Sequence, residues 1–291
     1  MPGLGTSNMN MNMNMNMNMN MGSVAHDGTF SRVRFNTADF RKLVTGQPPV
    51  TFTAPPNYPA NWDAELRSYV YLRDFVGDVP LQNNQPAPDW YTEARGTIQN
   101  LRPILFNMAP QIVDILDKAA DRDDRFAEII HQNDAEGALS YYLGMLMIDP
   151  GRYPLTYLVV RVARRVGEMA VMCLKDQFRH PRPSQISSAI VPMIDPPATP
   201  SFPSGHALQA RLITRCLEAV LDPANIPGAG VTGTPLRELG ARIAENRVIA
   251  GVHFPRDNEA GIAAADNIFG RLMRIGNFTT LVTNANNELK A

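Results

Sequence analysis

An all-α fold is the expectation for this chain, and three features carry it. Beyond about residue 90 apolar residues recur at helical spacing, almost nothing alternates as a strand does, and prolines sit where helical runs divide. With 291 residues, 44% apolar and 19% charged, the chain has material for a sizeable core of ordinary globular character.

In chain order, residues 1–21 contain a strict Asn-Met alternation from Met9 to Met21, read as a disordered low-complexity tail. Residues 22–90, rich in Pro, Asn and Asp, read as an irregular arm that packs on the core. Short extended pieces at Val33-Arg34-Phe35 and Val50-Thr51-Phe52-Thr53 and one helix from Asp63 to about Phe75 fall within it. Residues 91–291 form the helical domain. Leu101, Ile104, Leu105, Met108, Ile112, Val113, Ile115 and Leu116 share a helical stripe divided by Pro103 and Pro110. A short helix around Phe126, Ile129 and Ile130 follows the polar break at 121–124, and another spans Ala135 to Met147. Leu158, Val159, Val162, Val166, Met169 and Met172 mark the apolar side of a long helix from Pro154 to Lys175. Four more helices are expected at about 205–221, 235–252, 257–274 and 278–288, all burying their stripes on one another.

Composition excludes several function classes. A net charge of −1 argues against a nucleic-acid binder that relies on overall basicity. No uncharged apolar run approaches the ~20 residues that span a bilayer, because Arg161, Arg164, Arg165 and Glu168 interrupt the best stretch. Without a basic segment and apolar core at its start the chain reads as a cytoplasmic protein. Cys173 and Cys216 lie in helical patterns and read as small core residues, not as a disulfide or zinc framework.

Three stretches carry chemistry. Pro203-Ser204-Gly205-His206 ends an irregular segment and opens a helix, whose first N–H groups and positive dipole end suit an anion. Alone, Ser204 would read as a helix cap. Upstream, Lys175 closes a helix, and Arg182 follows seven residues later between two prolines. Downstream, Arg247 and His253 read as one helix ended by Pro255. Asp257, four residues beyond His253, is placed to accept from its Nδ1–H and leave Nε2 free. His180, Arg179 and Arg256 flank these groups, and the tyrosines at 141 and 142 read as core.

The order Lys-x6-Arg-Pro, Pro-Ser-Gly-His, Arg-x5-His-x3-Asp resembles the family that unites type 2 phosphatidic acid phosphatases, bacterial acid phosphatases and vanadium-dependent haloperoxidases. The third motif of that family usually opens Ser-Arg, where this chain has Asn246-Arg247. The resemblance covers about residues 175–257 and implies the family's helical bundle. It further implies that Lys175, Arg182 and Arg247, with Ser204 and the Gly205 N–H, grip the oxygens of a phosphate or vanadate. His253 would be the nucleophile towards phosphorus, or the vanadate ligand, and Asp257 would orient it. His206 would protonate the leaving alcohol and then activate water.

Two activities share such a pocket: hydrolysis of phosphomonoesters through a phosphohistidine, with no cofactor, and halide oxidation by hydrogen peroxide with vanadate. Haloperoxidases of this family tend to carry an aromatic or His five positions before the motif Ser and an aromatic three before the Lys. Thr199 and Met172 stand there, which favours the phosphatase, whereas the proline-rich link from Pro181 to Pro203 and the long N-terminal extension resemble soluble haloperoxidases. A silent binding protein would have lost a motif residue, and none is lost. The expected partner is a small anionic substrate, with no nucleic acid and no membrane span. A homo-oligomer is compatible with the resemblance.

Overall fold

The computed structural model describes residues 62–77, 90–103, 107–221 and 234–291. The expected tail (1–21), most of the expected arm (22–90) and its two extended pieces lie outside these residues. The compact unit runs from Trp62 to Ala291. Among the described residues every regular element is helical.

The first helix, α1 (Ala64–Val76), starts where the Asp63 side chain accepts from the Leu66 N–H at 2.8 Å, a common N-cap. Then come α2 (Trp90–Ile98), α3 (Ala109–Lys118), α4 (Arg122–His131) and α5 (Ala135–Leu146). Helix α6 (Pro154–Phe178) runs three residues past the expected end and stops at Arg179, which adopts a left-handed conformation at φ 47°. One short turn, α7 (Pro183–Ile186), precedes α8 (Gly205–Leu221), α9 (Pro235–Ile249), α10 (Pro255–Leu272) and α11 (Gly276–Lys290).

Helix α8 is the hub, with α6, α9 and α10 packed around it. Its stripe of Leu208, Leu212, Cys216 and Leu217 is fully buried against Leu158, Val162 and Val166 of α6 and Ala260, Ala264 and Ile268 of α10. A Cβ added at Gly261 would fall 2.6 Å from the Ser204 carbonyl oxygen and 3.0 Å from the Leu208 nitrogen. Only glycine lets α10 lie this close to the first turn of α8, and the serine corner is thereby pinned to the helix that carries Asp257.

Two sequence expectations change. Cys216 is buried, but Cys173 is exposed, because it shares the outer stripe of α6 with Met169, Asp176 and Gln177 and not the inner one with Ala170 and Leu174. Arg247 and His253 do not share a helix either. Helix α9 ends at Ile249, Gly251 turns back at φ 75°, and the Val252 and His253 N–H groups return to the Arg247 carbonyl at 3.1 and 3.3 Å. Pro255 is therefore the first residue of α10, where its missing N–H costs nothing.

Candidate active site

Each motif sits at a helix end facing the start of α8. Lys175 lies in the last turn of α6, and Arg182 precedes α7, its N–H held by Gln185 Oε1 at 2.7 Å. Ser204 and Gly205 open α8. The Ser204 N–H donates to the Asp257 carbonyl at 2.9 Å, and Ser204 Oγ accepts from the Ala207 N–H at 3.4 Å. Arg247 ends α9, His253 occupies the turn after it, and Asp257 sits in the first turn of α10. There Asp257 Oδ2 accepts from the Phe254 N–H at 2.9 Å and so helps start the helix.

The tautomer of His253 is set from both sides of its ring. Nδ1 lies 3.1 Å from Asp257 Oδ2, a carboxylate oxygen that accepts. Nε2 lies 3.1 Å from Arg182 Nη1, a guanidinium nitrogen that can only donate. Nδ1 therefore carries the proton and Nε2 the lone pair. The same Asp257 Oδ2 accepts from Ser201 Oγ, a partner that the sequence reading did not single out. Burial, together with the charges of Arg182, Lys175, His206 and Arg247, holds the His253 imidazole well below the usual histidine range. Burial also pushes the Asp257 carboxyl up to about 6, against the pull of Ser201, the Phe254 N–H, Lys175 and Arg182.

The three cations are almost wholly buried, Arg247 at 1% exposure and Lys175 and Arg182 at 4%. They rest on carbonyl oxygens: Lys175 on Pro200 and Ser201, Arg182 on Thr199 at 2.9 Å and Val252 at 2.8 Å, and Arg247 on Ile129 at 3.1 Å. Among the described residues none of the three forms an ion pair with a carboxylate. Arg247 Nε and Nη1 are buried with no hydrogen-bond partner among the described residues. Burial lowers Arg182 and Arg247 to about 10 and Lys175 well below its ordinary value. A corner with three buried cations and one buried carboxylate carries excess positive charge, and burying such charge unpaired is costly. An anion held there would offset it.

His206 stands at the start of α8 with Nε2 2.7 Å from the Gln132 carbonyl, so Nε2 donates and Nδ1 is the nitrogen left for other partners. Burial first, then the charge of Arg247, lowers it to about 3. A crevice beside it is lined by Leu139, Tyr142, Gln209, Ile213 and Ile243. The structure thus brings Lys175, Arg182, Ser204, Gly205, His206, Arg247, His253 and Asp257 to one corner. It leaves Arg179 and Arg256 outside, exposed and paired with Asp176 and Glu259. His180 is buried behind the site, its ring edge-on to Phe254.

Sequence reasoning missed Ser201, Gln132 and Ile129. Ser201 was legible as a hydroxyl three residues before Ser204. Gln132 and the Ile129 carbonyl lie over 70 residues upstream with no motif around them, and only the packing of α4 on α9 delivers them.

The PAP2 superfamily model matches residues 154–277, from the first residue of α6 into the start of α11, and so takes in all three motifs. No curated protein matches the chain significantly.

Proposed function

We propose, from the match of residues 154–277 to the PAP2 superfamily model, that the chain is a metal-independent phosphatase that hydrolyses phosphomonoesters through a phosphohistidine on His253. The observation that carries this reading is the meeting of a neutral His253 lone pair with three buried cations that form no ion pair with a carboxylate among the described residues.

In this reading the phosphate oxygens accept from Lys175, Arg182, Arg247, Ser204 and the Gly205 N–H. Apart from Arg182, which turns from His253 as substrate enters, these donors are in place beforehand, and together they offset the charge that spreads over the equatorial oxygens in the transition state. His253 Nε2 attacks phosphorus, a P–N bond forms, and the P–O bond to the alcohol breaks. His206 gives the departing oxygen a proton through Nδ1, its Nε2–H being held by Gln132. Water then attacks the phosphohistidine, His206 Nδ1 takes its proton, and the P–N bond breaks to release phosphate. In the free site His206 is held too low to be protonated near neutral pH. A bound phosphate dianion offsets the cations that depress it, so substrate itself prepares the acid.

The donor set also suits vanadate, through the unpartnered Arg247 nitrogens and the His253 lone pair. When bound, vanadate would supply activation of hydrogen peroxide towards halide. The phosphatase reading is preferred because Thr199, at a position where haloperoxidases tend to carry an aromatic or His, is engaged by Arg182, with Nη2 3.1 Å from its Oγ1. Two assays on the pure protein test the choice: p-nitrophenyl phosphate hydrolysis without added metal, and dye bromination with peroxide after vanadate loading. Vanadate-inhibited hydrolysis without bromination is expected; bromination without hydrolysis would reverse it. Among the described residues no helix is long and apolar enough to cross a membrane.

A further inference from the structure

The end of helix α4 meets two of the motif residues although it carries no motif itself. Its Ile129 carbonyl accepts from Arg247 Nη2 at 3.1 Å, and the Gln132 carbonyl, at its C-cap, accepts from His206 Nε2 at 2.7 Å. Carbonyls at a helix C-terminus carry partial negative charge and suit both partners.

Gln132 does not hold this place by backbone alone. Its side chain is buried, and Oε1 accepts from Asn246 Nδ2 at 2.8 Å. The same Asn246 nitrogen reaches Glu128 Oε2 at 3.1 Å, and Asn246 Oδ1 accepts from Arg125 Nη1 at 3.3 Å. Asn246 is wholly buried and immediately precedes Arg247. It is also the one position where the third motif departs from its usual Ser. A serine hydroxyl has a single proton and a shorter reach, so it cannot span both Gln132 and Glu128 as this amide does.

We infer that Gln132 and Asn246 are a pair of positioning residues that fixes the tautomer of His206 by clamping the end of α4 against α9. With the Gln132 carbonyl held in front of Nε2, that nitrogen must carry a proton, and all proton traffic at His206 runs through Nδ1. The carbonyl also favours the protonated imidazole, against the three cations that face it: Arg247 from α9, Lys175 from α6 and Arg182 from the segment before α7. Releasing the clamp weakens the Gln132 contact that supports the acid form.

The inference uses the phosphatase reading only in its kinetic arm. Imidazole nitrogen NMR at neutral pH reports the tautomer whether or not the protein hydrolyses anything. Wild type is expected to show His206 as the Nε2–H form alone. Asn246→Ala and Gln132→Ala are each expected to populate the Nδ1–H form, and the double variant no more than either single, since the two act as one unit. Gln132→Glu keeps an oxygen for Asn246 Nδ2 and is expected to keep the wild-type tautomer. In turnover, the alkaline limb of kcat should move down by ~0.5–1 pH unit in both alanine variants, the size of one lost hydrogen bond. Thermal melts of every variant run in parallel. Wild-type tautomer in the alanine variants, with only a lowered Tm, would overturn the inference and leave the pair as packing. Altered tautomer without any measurable hydrolysis in wild type would uphold it while counting against the phosphatase.

Discussion

Arg182 Nη1 rests 3.1 Å from His253 Nε2, so the free site has a guanidinium hydrogen bond on the nitrogen that is the nucleophile in the proposed reaction. The contact shows that Nε2 carries its lone pair before any substrate is present. In the proposed reaction Arg182 would turn part of its fork from His253 to a phosphate oxygen as the substrate enters, while Nε stays on the Thr199 carbonyl. Replacing Arg182 with Lys removes the fork but keeps the charge. Arg182→Lys is expected to lower kcat/KM for p-nitrophenyl phosphate by ~10²-fold, the usual cost of one oxyanion donor. Wild-type kcat/KM in that variant would remove Arg182 from oxyanion binding.

Asp257 offers a pH test. Its carboxyl, at about 6, must be ionised to hold the Nδ1 proton of His253. Activity is expected to fall on the acid side with a limb near pH 6 in kcat/KM. Asp257→Asn should cost ~10³–10⁴-fold in kcat, since the amide no longer enforces one tautomer, as in other His–Asp pairs. A flat acid limb down to pH 4.5 would mean that Asp257 is not the group titrating.

Stability should respond to acid with a sign set by the histidines. His180, His206 and His253 are all lowered in the folded chain by burial, so between pH 6.5 and their folded values the unfolded chain binds more protons, and stability falls as pH falls. Asp257 is raised and acts the other way between its ordinary 3.8 and about 6. Three lowered histidines against one raised carboxyl predict a Tm that drops from pH 6.5 to pH 4.5. His206→Gln should flatten that slope. A Tm that rises over the same range would contradict the burial of neutral imidazoles.

Anion binding should stabilise the protein, because it offsets buried charge. Inorganic phosphate at 100 times its Kd adds ~2.7 kcal/mol to folding, readable as a raised Tm. Arg247→Lys should lose most of that gain, since Nε and Nη1 are among the donors expected to meet the ligand. Equal phosphate shifts in wild type and variant would place the anion elsewhere.

Gly261→Ala tests the packing that supports the site. The added methyl meets backbone atoms, which cannot swing aside, so a loss of ~1–3 kcal/mol is expected from overpacking, with hydrolysis reduced as Ser204 shifts. Unchanged Tm would show that α10 can move off α8 freely.

The helices were legible because their apolar stripes are long and regular, as in α6 and α8. Their ends were less so. Helix α9 stops three residues before its expected end because Gly251 takes a positive φ, and α10 starts earlier because Pro255 reads as a stop or a start alike. Cys173 was misread as core since an apolar run does not say which stripe faces inward. For the site, Lys175, Arg182, Ser204, Gly205, His206, Arg247, His253 and Asp257 were named from the three motifs and the family resemblance that they carry. Gln132 and Ile129 were not, because they act through carbonyls, and a main-chain carbonyl leaves no mark on residue identity.

The most direct measurement is a rapid acid-free quench of wild type during p-nitrophenyl phosphate turnover, followed by peptide mass spectrometry. The account predicts an acid-labile, base-stable phosphoryl group on His253, absent from His253→Ala, which should fold normally and lose at least ~10³-fold in kcat. Steady turnover with no phosphoryl group on His253, or a His253→Ala variant near wild-type rate, would contradict it.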